Sequence, residues 1–316
     1  VAHQRMAAEA IVPDDYLYFL RLLFRVQLGP GELRAIRIDP GSAAGDGSAH
    51  EPAGGNSVKA TTVSLENDRG LRLCISGQRG MWFPGLTRAI DVPHLQRVND
   101  PTDTWTHEVD RYENEAVALP EWNEVQVADT GPLMASLQQR GRIHESRIMA
   151  EWRVYAGEPF IELLLRVYWS ERHKLLKLVA PIANAIDRRW DGIPGGEIQR
   201  HSDGRERPVR DRTLLAVSDG MKIGMVFPDA YALDVTADGQ AVRITLLRSP
   251  LMAHHFPFPG EGTRGVYADQ GMHTFRFRFF AGADVTGGLL DRHALMLHRT
   301  PLTGDWTRGM KAGSDR

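Results

Sequence analysis

The feature that most constrains this chain is a pair of alternating segments separated by a short turn. In SRIMAEWRVYA (residues 146–156), Ile148, Ala150, Trp152 and Val154 fall on one face, and Met149, Glu151, Arg153 and Tyr155 on the other. FIELLLRVYW (residues 160–169) repeats the pattern, with Ile161, Leu163, Leu165, Val167 and Trp169 on its apolar face. A period of two places successive side chains on opposite faces of a strand, whereas a helix would scatter either set around its circumference. With Gly157, Glu158 and Pro159 between them, the two segments predict a β-hairpin.

Further strands are predicted at 61–66, 71–76, 134–140, 213–218, 222–227, 242–247 and 274–280, separated by Gly, Pro, Asn and Asp. In the last, Phe275, Phe277 and Phe279 alternate with Thr274, Arg276 and Arg278. Many short strands without a convincing helix predict an all-β fold, a large antiparallel sandwich. The glycine pairs Gly195-Gly196 and Gly287-Gly288 read as turns. No internal repeat is visible.

The chain divides into an N-terminal segment and linker (1–57), one large β domain (58–302) and a tail (303–316). GSAAGDGSAHEPAGGNS (41–57) has the Gly, Ser, Ala and Pro content of a flexible linker. DDYLYFLRLLFRVQL (14–28) fits either a helix or two short strands. At 316 residues, 42% hydrophobic and 25% charged, the chain is large and apolar enough to bury a sizeable core.

Charge excludes some functions. A net charge of −2 lacks the basic footprint of a nucleic-acid or anionic-membrane binder. No stretch approaches the roughly 20 apolar residues of a membrane span, and VAHQRMAAEA has no apolar core of signal-peptide length. The single cysteine, Cys74, cannot form an internal disulfide, which is the usage of a reducing compartment and predicts the cytoplasm. A G-x-S-x-G elbow, a P-loop and a dinucleotide fingerprint are all missing.

Five stretches carry polar chemistry: DPTDTWTH (100–107), VYWSERHKLLKL (167–178), GGEIQR (195–200), TLLRSP (245–250) and YADQG (267–271). In that order they resemble the C-terminal β region of family 38 glycoside hydrolases, the retaining α-mannosidases. The resemblance implies a supersandwich of the galactose-mutarotase-like type and a carbohydrate ligand. It also implies a catalytic barrel, N-terminal in that family, which carries the zinc site and the nucleophile. Nothing among these residues looks like that barrel, so none of its catalytic positions can be transferred. A partner catalytic subunit, or association between copies of this chain, is therefore expected.

Sugars present hydroxyls at their edges and C–H groups on their faces, so a site for them needs carboxylates, imidazoles and aromatic rings. Asp103, Trp105 and His107 meet that requirement in one loop, although Asp103 also suits a turn and Trp105 a core. Were the strand to continue through WSERHK, Trp169, Glu171 and His173 would alternate on it. Glu171 would then be a proton donor beside Trp169, or half of a surface pair with Arg172 or His173. Arg248 ends a strand, where its guanidinium fork can hold a ligand or tie loops through Asp269 or Glu197. Glu171, Asp103, Glu197 and Asp269 are the catalytic candidates. Arg248, Trp105, His107, His173, His254, His255 and Tyr267 are the substrate-binding ones. No cofactor is predicted: His254 and His255 are adjacent and point to opposite faces of a strand, which disfavours zinc.

Overall fold

The structure is a computed structural model that describes residues 3–5, 22–29, 32, 34–36, 58–100, 102, 104–105, 109–112, 118–253 and 265–299. Two short strands, β1 (His3–Arg5) and β2 (Leu22–Phe24), pair antiparallel. A meander of β3 (Val58–Ala60), β4 (Ser64–Asn67), β5 (Arg72–Cys74) and β6 (Gly80–Trp82) follows. Then come β7 (His94–Asn99), β8 (Glu121–Trp122), β9 (Gln126–Asp129), β10 (Met134–Ile143), β11 (Ser146–Tyr155), β12 (Ile161–Trp169) and β13 (Lys174–Pro181). The chain continues through β14 (Ile186–Ile193), β15 (Gly196–Arg200), β16 (Arg207–Pro208), β17 (Arg212–Val217), β18 (Lys222–Val226), β19 (Ala232–Val235), β20 (Ala241–Arg248) and β21 (Gly271–Gly282). The helix α1 (Gly287–His298) closes the described part.

These strands build two facing sheets. One runs β15-β14-β17-β18-β21-β12-β11-β10-β8, with β9 also on β10; the other runs β16-β19-β20-β13-β7. Every pairing is antiparallel, as the alternation required. The predicted hairpin is β11–β12, in register from Arg147 opposite Tyr168 to Val154 opposite Ile161. Its apolar face, including Trp152 and Val167, is buried with Phe277 and Phe279 of β21 against Leu176, Leu178 and Ile244 of the second sheet. Leu65, Leu71, Leu73 and Phe83 of the meander extend the same core.

Two expectations are corrected. The chain does not continue as a strand through WSERHK: β12 ends at Trp169 and β13 starts at Lys174. Residues 170–173 instead turn the corner from one sheet to the other, and His173 takes a left-handed φ of 51°. Nor are Gly287 and Gly288 a turn, since they open α1, where Gly287 has Arg212 and Glu197 close by. By contrast, Gly195 is the tip of the β14–β15 hairpin at φ 84°.

Candidate functional site

Four segments meet where β12 hands over to β13: the loop after β7, the β10–β11 turn, the corner 170–173, and the described residues between β20 and β21. Backbone bonds tie them together. His173 accepts from the Asp100 N–H and donates to the Ser249 carbonyl, at 2.9 and 2.8 Å. Left-handed backbone gathers here, at His144, His173, Ala253 and Asp269, with Asp211 the one further non-glycine example among the described residues. Aspartate and histidine tolerate that region better than most residues do, so Ala253 is the costliest of the four.

Glu171 is buried beneath this end. Its Oε1 accepts from the Glu145 N–H, the Ser146 N–H and the Ser146 hydroxyl at 2.9, 3.1 and 2.9 Å. Its Oε2 lies 3.0 Å from Arg97 Nη1 and 3.2 Å from His144 Nδ1. Both oxygens are thus engaged, and the partners differ from the neighbours Arg172 and His173 that adjacency in sequence offered. The Gln270 side-chain amide donates to the Glu171 carbonyl at 2.7 Å, pinning the start of β21 to the corner.

Arg248 ends β20 as predicted, and its guanidinium closes over the loop after β7. Nε lies 2.8 Å from Asp100 Oδ2, Nη1 donates to the Thr104 carbonyl at 3.1 Å, and Nη2 donates to the Thr102 hydroxyl. Asp100, fully buried, also accepts from the Thr102 N–H and hydroxyl. The Arg248 backbone N–H donates to Asp269 Oδ2 at 3.0 Å. A fork shared by one carboxylate, one carbonyl and one hydroxyl fixes the loop in place.

The skin over this ion-paired layer is different in character. Trp105 is 50% exposed rather than packed in the core, and Met252, Val266, Tyr168 and Met272 are exposed as well. Tyr168 and Met272 are direct partners across the β12–β21 ladder. Tyr267 is buried, edge-on to His173 at 5.1 Å, with the Arg172 guanidinium 5.2 Å from its ring centre. Asp269 keeps its carboxylate at the surface. Such a surface offers an aromatic face, a carboxylate and apolar area above a rigid base.

The family model of the glycosyl hydrolases family 38 C-terminal domain matches residues 89–256, more than half of the chain. This chain belongs to that family. Two solved structures share the fold of this family 38 domain: an α-mannosidase from Enterococcus faecalis V583 and a protein in glycosyl hydrolase family 38 from Enterococcus faecalis. Each is 10% identical, with a TM-score of 0.50 over 72% of this chain. The chain spans 29% and 30% of their lengths, so what they share with it is the fold, a large antiparallel β-sandwich. No curated protein matches the sequence.

The family 38 match takes in Asp100, Glu171, His173 and Arg248 and stops before Tyr267 and Asp269. The structure brings Glu171, His173, Arg248, Tyr267, Asp269 and Trp105 to one end of the domain. Glu197 stands apart on β15, 3.0 Å from Arg212, which also binds Asp291 of α1. Asp103, His107, His254 and His255 lie outside the described residues. Among the described residues, no three His, Cys, Asp or Glu side chains are grouped to hold a metal ion, and no helix is long and apolar enough to cross a membrane. Arg97, Thr102 and His144 are the residues that sequence reasoning missed. Arg97 sits within an ordinary alternating strand, and no local spacing marks it as a partner for a carboxylate in another loop.

Proposed function

We propose that this family 38 domain is the β part of a carbohydrate-active protein that acts on α-mannosides or related glycosides. Its loop end binds the sugar and forms one wall of a cleft whose chemistry, glycoside hydrolysis, is carried by a barrel domain. One observation supports the division of labour. Glycoside hydrolysis needs a carboxyl group free to give up a proton and a second free to attack or to activate water, whereas Glu171 and Asp100 spend their oxygens on internal donors. Trp105 is half exposed and Asp269, which takes the Arg248 N–H on Oδ2, is also at the surface, a ring for stacking and a carboxylate to accept a hydroxyl. In this reading Arg248, His173 and Tyr267 position the wall, and His107, His254 and His255 belong to the same loops by sequence. The wall meets a barrel or, without one, a second copy of itself, and the lone Cys74 suits a reducing cytoplasm.

A second reading, hydrolysis by this chain alone through Asp269 with Asp103, Glu171 or Glu197, is favoured by the exposure of Asp269 beside Arg248. Two measurements separate the readings: tryptophan fluorescence during titration with methyl α-D-mannoside, and aglycone release from aryl α- and β-glycosides with and without zinc. The wall predicts saturable mannoside binding lost in Trp105→Ala, with no release. Release abolished by Asp269→Asn in a folded variant would establish the autonomous enzyme instead. Neither binding nor release would remove both.

A further inference from the structure

Away from the loop end, a cavity of about 70 Å3 opens between the two sheets near the start of β7. Its floor is apolar: Val92, Leu95, Ala150, Trp152, Leu163 and Leu178 line it. Its mouth is polar, formed by Arg79, His94 and Gln139 beside the half-buried Trp122. Gln139 stands on the inward face of β10, opposite Ala150, where the alternation otherwise places apolar residues such as Leu137. Arg79 donates to the Pro93 carbonyl at 3.3 Å. Among the described residues no carboxylate is within ion-pair distance of it, and Asp91 acts on it only at longer range.

A sugar is a poor match for this cavity. Hydroxyls on the side of the ring facing the floor would be stripped of water against apolar side chains that cannot bond them, at a cost of roughly 1–3 kcal/mol each. An apolar body with a charge at one end matches both halves, because the floor takes the body and a guanidinium fork takes a carboxylate. The volume is that of about five waters, enough for one ring or a short acyl chain. The geometry points to a binding site for a small amphiphilic monocarboxylate, seated on Trp152 and Leu163 with its carboxylate on Arg79. This site is separate from the glycoside wall and independent of it.

Benzoate is the probe, benzyl alcohol its neutral counterpart and methyl α-D-mannoside the sugar control, all followed by tryptophan fluorescence of the full chain. Benzoate should saturate in the millimolar range and benzyl alcohol more weakly. Arg79→Ala, a surface substitution that leaves the core intact, should weaken benzoate about tenfold and leave benzyl alcohol unchanged. Trp122→Phe should reduce the signal while retaining the affinity ratio between the two probes. Absence of saturation by benzoate, equal affinity for the Arg79→Ala variant, or competition by the mannoside for the same site would each overturn the assignment.

Discussion

Glu171 and Arg248 show how a charged residue can look catalytic and serve the scaffold. Arg248 ends β20 and Glu171 lies in the corner after β12, placements that also suit a functional site. The structure surrounds each with fixed donors or acceptors, and removing one partner of a buried pair strands the other. Glu171→Gln therefore lowers stability by about 3 kcal/mol, read as a fall in the urea midpoint at unchanged slope. A Gln variant as stable as the parent would return Glu171 to the list of acids. None of this was legible locally. Arg97 is 74 residues from Glu171 and Thr102 is 146 from Arg248, so the partners appear only once both sheets are assembled.

The helix α1 is the element that sequence reading lost. Leu290, His293, Ala294 and Leu297 are its buried residues, a helical stripe with a histidine in it, while Leu295 and Met296 are exposed and blur the period. Thr286 caps it by accepting from the Leu289 N–H at 3.2 Å, and Thr286→Ala costs about 1 kcal/mol in thermal unfolding. The stripe packs on Phe160, Val226 and Phe280 of the large sheet's outer face, so close to β18 that a Cβ on Gly224 would stand 2.7 Å from Leu290. His293 lies between Phe160 and Phe280 at 5.1 and 4.9 Å. Burial, then the charges of Arg278 and Arg292, lower its pKa to about 4. The unfolded chain therefore binds this proton first: the stabilisation is complete above pH ~6.5 and is lost as pH falls through 4, by on the order of 3 kcal/mol. A urea-midpoint profile over that window should flatten in His293→Gln, and an unchanged profile would show that His293 is not the group responsible.

At the scale of the molecule, most of the architecture could be read from the chain. Each predicted β segment from 61 onward overlaps an observed strand, because in a half-buried strand the two-residue period reports directly which face meets the core. The division into two sheets and the corner at 170–173 are non-local, and no period encodes them. The apolar skin of Tyr168, Met272, Met252 and Val266 sets the behaviour of the whole particle. The chain by itself should scatter light as more than one copy at micromolar concentration, and Tyr168→Lys with Met272→Lys should return it to a single mass. A single-copy mass for the parent chain would count against that surface as a contact.

The position of β21 carries a further consequence. It lies between β18 and β12, with Phe279 opposite both Met225 and Ile161. A ribosome emitting this chain thus completes β8 through β12 and then β14, β15, β17 and β18 as two separate half-sheets, each with an unpaired inner edge. They can join only when residues 271–282 emerge. Until then those edges are templates for pairing with another nascent chain, so yield in the cell should depend on how quickly the last strand follows and on chaperones that shield the gap it will fill.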